Sequence, residues 1–158
     1  MKTITIDRSK RLKEQAETGH NRWHPDIPPI LTVSEGEEVI LETRDALDLQ
    51  FNERTTEEDF ENVEAGAIHP LTGPVFVNGA QPGDLLEVEF VDILPEPWAF
   101  SSIIPGFGFL RDIFDKPYMV HWDIKDGWAT ATALPGVRIP NGSFMGTAGI
   151  APSRIIVS

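Results

Sequence analysis

The chain contains no cysteine. That excludes a disulfide framework, a thiolate zinc site and a cysteine nucleophile, and it suits a cytoplasmic setting. Positive charge is scarce: 13 Lys and Arg against 25 Asp and Glu leave a formal net charge of -12. Nucleic-acid backbones and anionic lipid surfaces are held by basic faces, so neither is an expected partner. A neutral small molecule or a cation fits the balance better. Long apolar runs are also missing. No stretch approaches the about 20 apolar residues of a membrane helix. The opening Met1-Lys2-Thr3-Ile4-Thr5-Ile6-Asp7 lacks the apolar centre and small-residue cleavage site of a secretory signal.

Thirteen glycines and thirteen prolines recur so often that few positions could carry a long helix. What remains is ordinary globular material, 41% hydrophobic and 24% charged over 158 residues. It is enough to bury a core without help from a crosslink or a structural metal. The pattern predicts one mainly β domain over residues 1–158, barrel- or sandwich-like, with short strands, Gly/Pro turns and at most one or two short helices. Strands are expected at 3–6, 30–33, 39–43, 75–77, 147–150 and 155–157, with Ser34-Glu35-Gly36-Glu37 turning between the second and third. Leu85 to Ile93 alternates most strongly and reads as the clearest strand. Tyr118–Ile124 and Trp128–Leu134 flank Lys125-Asp126-Gly127 and read as a hairpin. Arg8 to Thr18 is polar, a marginal helix or an exposed connection. Thr56 to Val63 is the best helix candidate: Thr56 can cap it, and Glu57, Glu58 and Asp59 suit the positive end of its dipole.

The residue types that carry chemistry are few. His20 and His24 have the spacing of a zinc-protease pair, but no glutamate follows His20 and Pro25 breaks any helix there. On an irregular segment, His24 and Asp26 can still converge on a metal or a substrate. The competing reading is that Asn21, Arg22, His24 and Asp26 satisfy backbone groups freed by the prolines. His69 sits in Ile68-His69-Pro70-Leu71-Thr72-Gly73-Pro74, a rigid turn suited either to presenting an imidazole or simply to connecting elements. In Met119–Ile124, period two puts Val120, Trp122 and Ile124 on the core face, and Met119, His121 and Asp123 on a more polar one. Pro105-Gly106-Phe107-Gly108-Phe109-Leu110 lacks the third glycine of a dinucleotide loop, so no nucleotide cofactor is expected; it reads as an aromatic-rich lid or interface. Ser101 and Ser102 lack the flanking glycines of a nucleophile elbow.

Several blocks, taken in order, are more specific than any of these motifs alone. Gly19-His20-Asn21-Arg22-Trp23-His24-Pro25-Asp26-Ile27-Pro28 resembles the opening signature of formamidases in the acetamidase/formamidase family. Val33-Ser34-Glu35-Gly36-Glu37 with Glu42-Thr43-Arg44-Asp45 is similar to the family's first hairpin and the acid-bearing turn after it. His69-Pro70-Leu71-Thr72-Gly73-Pro74, Gly79-Ala80-Gln81-Pro82-Gly83-Asp84, Ile104–Leu110, His121-Trp122 and Gly149-Ile150-Ala151-Pro152-Ser153 continue in family order. The resemblance implies hydrolysis of short amides such as formamide or acetamide to ammonia and a carboxylate, with zinc or another divalent metal as cofactor. It also implies a β-rich fold and either homo-oligomeric assembly or a chain supplying the C-terminal half, because a later family block rich in Gly, Asp, His and Glu has no counterpart here. On this reading His24, Asp26 and His69 are the catalytic and metal-binding candidates. Asn21, Trp23 and Asp45 are placed against the substrate, with Trp23 walling a small pocket and Asn21 orienting an amide. Two alternatives stay open: a non-catalytic small-molecule binding module, and a structural subunit that docks a partner through Phe107, Phe109 and Leu110.

Overall fold

The computed structural model describes residues 1–154. Among these residues the regular structure is mainly strand. The ten strands are β1 (Lys2–Ile4), β2 (Gly19–His20), β3 (Leu31–Val33), β4 (Val39–Leu41), β5 (Leu71–Thr72), β6 (Val75–Val77), β7 (Trp98–Ile103), β8 (Tyr118–Lys125), β9 (Trp128–Thr130) and β10 (Arg138–Pro140). Helical geometry is confined to four 3-10 segments, at Leu12–Glu14, Ala16–Thr18, Glu57–Asn62 and Ala65–Ala67. None is long and apolar enough to cross a membrane.

The chain divides into two compact units. The first comprises Met1–Gln50, Glu64–Glu89 and the stretch from Gly146. It holds three two-stranded sheets: β1 beside β4, β3 beside β6, and β2 beside β5. The first two pairings are parallel and the third is antiparallel. Its core mixes Ile4, Ile6, Leu12 and Val33 with buried Gln15, Thr18, Arg44 and Asp48. Gln15 is buried because its amide is used at both ends. Its Oε1 accepts from the Asp7 N–H at 2.9 Å, and its Nε2 donates to the Asp7 carbonyl at 2.8 Å. The polar stretch 8–18 is thus marginally helical and largely exposed, two 3-10 turns anchored by buried Leu12 and Thr18.

The second unit comprises Phe51–Val63 and Phe90–Met145. Its four-stranded antiparallel sheet runs β10-β9-β8-β7. Asp126 and Gly127 both have positive φ, 51° and 77°, and join Lys125 to its partner Trp128 in a two-residue hairpin. Such a turn matches the right-handed twist of the strands it connects. Val120, Trp122 and Ala131 form the sheet's buried cluster, with Ala99, Ala129 and Leu134 packed against it. Val120 and Trp122 occupy the core face that the alternation assigns them. At the start of the 3-10 segment 57–62, the Asp59 carboxylate accepts the Thr56 N–H at 2.8 Å and the Asp59 N–H donates to the Thr56 carbonyl at 3.1 Å, in a turn that never widens to an α-helix. Phe51 stacks on Phe60 at 5.3 Å and meets Phe100 edge-on at 5.3 Å.

Four expectations are corrected. Leu85–Ile93 forms no strand: Leu85, Leu86, Val88, Phe90 and Val91 are exposed. Alternation gives a segment two faces, but a strand also needs a partner edge to hydrogen-bond. Residues 30–43 contain the predicted strands and the turn, with the Glu37 N–H donating to the Ser34 carbonyl at 3.1 Å. They make no hairpin, because β3 pairs with β6 and β4 with β1. No barrel closes among the described residues: three of the sheets have only two strands, with ladders of two or three residues. Residues 147–150 carry no strand. The expected strand at 155–157 lies outside the described residues.

Candidate functional site

The first unit brings together the three segments that carry the candidate residues. β2 pairs with β5 so that Gly19 lies opposite Thr72 and His20 opposite Leu71. This places the 19–26 segment beside the turn at His69. The approach is very close: a Cβ on Gly19 would stand 2.3 Å from the Leu71 carbonyl oxygen, so only glycine fits. Just beyond the ladder, the Asn21 side-chain amide donates to the Gly66 carbonyl at 2.8 Å. The third segment, 44–50, joins through the His69 N–H, which donates to the Ala46 carbonyl at 2.7 Å.

The loop 45–50 is stiffened by its own acids. Asp45 accepts the Leu47 N–H and the Leu49 N–H through its two oxygens, both at 2.8 Å. Asp48 and Leu49 are left-handed, with φ of 58° and 59°. Asp48 is 1% exposed; its Oδ1 accepts the Leu12 N–H at 2.8 Å and its Oδ2 accepts Arg11 Nε at 3.4 Å. Arg44, also buried, lies 3.7 Å from Asp48 through Nε and donates from Nη1 to the Thr18 hydroxyl at 3.0 Å. Neither its Nε nor its Nη2 makes a hydrogen bond among the described residues. Glu64 caps the cluster on its exposed side. Its hydrogen bond to Lys13 and that cation's charge, with Arg11 beyond, hold its carboxyl below the ordinary glutamate value. Sequence reasoning passed over Arg11, Arg44 and Asp48, because no local motif signals a buried ion cluster outside a helix.

Each predicted site residue can now be placed. His24 is exposed, and its Nδ1 accepts the Asp26 N–H at 3.2 Å. A backbone N–H can only donate, so Nδ1 carries no proton here and Nε2 does. The Asp26 carboxylate is ion-paired to Arg154. His69 is exposed with φ 58°, a left-handed value unusual for a residue with a side chain. Trp23 is partly exposed; its ring meets the His20 ring edge-on at 6.1 Å and lies over Gly149, where a Cβ would come within 2.8 Å of the indole. Asn21 and Asp45 are committed to the backbone contacts above. The structure therefore gathers the segments of all six residues, while His24 and Asp26 meet only through the Asp26 N–H and no hydrogen bond links His69 to either among the described residues. A tetrahedral zinc site needs three or four converging ligands. Among the described residues no three His, Asp or Glu side chains are grouped in that way.

The other candidates, His121 and Ser101, are hydrogen-bonded within the second unit. His121 accepts from Trp98 Nε1 at Nδ1 (3.1 Å), and its Nε2 lies 2.9 Å from the Thr55 carbonyl, so both ring nitrogens are engaged. The Ser101 hydroxyl accepts from Trp122 Nε1 at 3.0 Å.

A sequence model described as the Acetamidase/Formamidase family matches residues 5–158. The chain belongs to that family. It is 38% identical to the acetamidase of Mycolicibacterium smegmatis over 163 residues, covering 95% of this chain and 40% of the relative. It is 35% identical to the formamidase of Methylophilus methylotrophus over 161 residues, covering 98% of this chain and 40% of that one. Among solved structures, the gamma lactamase from Delftia acidovorans superposes with a TM-score of 0.83 at 34% identity, covering 89% of this chain and 36% of that one. This acetamidase/formamidase chain thus spans about 40% of the length of the curated relatives it matches.

Proposed function

We propose that the chain contributes to hydrolysis of short linear amides, of the formamide and acetamide class, to ammonia and a carboxylate. One observation carries the reading: the family match runs through residues 5–158, and relatives at 35–38% identity are an acetamidase and a formamidase. The stitching of segments 19–26, 44–50 and 64–72 supports it, because it gathers several polar groups in one region of one unit. An amide is a poor electrophile with a poor leaving group, so hydrolysis needs an activated water, a stabilised oxyanion and a proton for the departing nitrogen. His24, Asp26 and His69 are the groups we assign to that chemistry. Trp23 provides an apolar wall beside them, while Asn21 and Asp45 hold the segments in register. A divalent metal would need at least one ligand from outside the described residues.

The same reading extends to assembly. Leu85, Leu86, Val88, Phe107, Phe109 and Leu110 are exposed apolar side chains, and large exposed apolar surfaces mark interfaces. A second copy or a chain carrying the rest of the family's length is the proposed partner, in a cytoplasmic setting that suits a cysteine-free chain. The test is ammonia release from formamide and acetamide by the purified protein, alone and with a full-length family member's C-terminal portion. Release that falls about 100-fold or more in His24→Ala and His69→Ala is expected. Undiminished turnover in both variants refutes the site assignment, and no release under either condition refutes the reading.

A further inference from the structure

The two histidines of the 19–26 segment are held in opposite tautomers. His20 Nδ1 lies 2.7 Å from the Arg22 carbonyl oxygen. A carbonyl can only accept, so Nδ1 must carry the proton and, in the neutral ring, Nε2 bears the lone pair. His24 is the reverse, because its Nδ1 accepts from the Asp26 N–H. The contacts therefore divide the roles: His24 presents Nε2–H, and His20 presents a bare nitrogen. His20 is also the better fixed of the two. It is half-buried, it lies on the β2–β5 ladder opposite Leu71, two residues from His69, and its ring packs against Trp23.

We propose that His20, which spacing alone discounts, is the proton acceptor of the site, and that His24, on the same 19–26 segment, is a hydrogen-bond donor. The proposal rests on the amide-hydrolysis reading. Water attacks the carbonyl carbon, forming the C–O bond while His20 Nε2 takes its proton. The carbonyl oxygen becomes an oxyanion, to which His24 Nε2–H donates. Collapse of the adduct restores the C=O bond and breaks the C–N bond. The nitrogen leaves as ammonia with the proton returned from the His20 imidazolium, so the ring is regenerated and amide plus water become carboxylic acid plus ammonia. The Arg22 carbonyl stabilises the imidazolium in between, by accepting from Nδ1–H throughout, which is the part a backbone or carboxylate oxygen plays behind a catalytic histidine.

Two measurements on the full chain test this. Long-range ¹H–¹⁵N correlation spectra of the imidazoles, at a pH where they are neutral, are expected to show His20 protonated at Nδ1 and His24 protonated at Nε2. A His20 found as the Nε2–H tautomer overturns the proposal whatever the activity. In the amide assay, His20→Gln is expected to lower kcat about 100-fold with little change in KM. Full turnover in His20→Gln overturns the proposal while leaving the amidase reading intact. A wild-type protein that releases no ammonia but shows the Nδ1–H tautomer counts against amide hydrolysis and supports the lone-pair assignment.

Discussion

Removing the Asp48 carboxylate should do more damage than any other single change to the first unit. Asp48 is 1% exposed and faces Arg11 and the buried Arg44. Its Oδ1 also satisfies the Leu12 N–H at 2.8 Å. Asp48→Ala therefore leaves one buried donor unpaired and the buried Arg44 without its counter-charge, while Arg11 keeps only Glu64. Breaking a buried pair from one side typically costs about 3–5 kcal/mol, a large share of the roughly 5–15 kcal/mol that holds a domain together. Taking a urea slope of about 2 kcal/mol per molar, the midpoint should fall by about 2 M. Asp48→Asn keeps an acceptor for Leu12 but not the charge, so it should lose less. Arg44 has two side-chain nitrogens with no hydrogen-bond partner among the described residues, so Arg44→Met should cost less than Asp48→Ala. In Asp48→Asn combined with Arg44→Met the loss should be smaller than the sum of the two, with a coupling of at least about 1 kcal/mol. Urea titrations of the wild type and the four variants, followed by tryptophan emission, provide the comparison. An Asp48→Ala midpoint within about 0.5 kcal/mol of wild type, or strictly additive losses in the double variant, would refute the argument.

Three further outcomes follow from geometry described above. Gly19→Ala places a methyl 2.3 Å from the Leu71 carbonyl oxygen, a backbone atom that cannot swing aside. It should cost about 2 kcal/mol, with faster amide exchange along β2–β5; an unchanged exchange pattern would contradict the close approach. Gly149→Ala meets the indole of the partly exposed Trp23 at 2.8 Å. Stability should change by less than about 0.5 kcal/mol while the Trp23 emission shifts, and a silent spectrum would count against that contact. Glu37 accepts the Ser34 N–H at 2.6 Å and Lys2 at 3.0 Å, which together hold its carboxyl below the ordinary value. A depressed folded-state pKa adds stability above the unfolded-state pKa, lost as pH falls through the folded one. Glu37→Gln should therefore flatten the acid limb of stability against pH, and an unaltered limb would remove Glu37 from that account.

What could be read from the sequence was local. Asp126-Gly127 encodes a two-residue hairpin through its own backbone preferences, and Thr56 with the acidic run after it marks the start of the 3-10 segment 57–62. The face of β8 that carries Val120 and Trp122 follows from period two. Partner choice was not legible in that way. Residues 30–43 contain the strands and the turn expected of a hairpin, yet the distant partners β6 and β1 take the two edges. Leu85–Ile93 has the strongest alternation and no partner among the described residues. At the site, the proline-rich segment around His24 and the turn at His69 were visible as candidates, and the structure stitches their backbones together. The tautomers of His20 and His24 were not visible. They depend on which backbone group, the Arg22 carbonyl or the Asp26 N–H, each ring meets. No residue pattern states which.

The wiring of the two units has a consequence for how the protein can be divided. Each is assembled from separated stretches, so the polypeptide passes from one to the other near residues 50, 63, 89 and 145. Neither unit is encoded by one continuous stretch, so no single cut yields an intact half. The parallel pairs join Lys2 to Val39 and Leu31 to Val75. Their ladders must wait for most of the intervening chain to be in place. Assembly governed by such remote closures is slow compared with hairpin formation, so β8–β9 should be protected early in refolding and β3–β6 late.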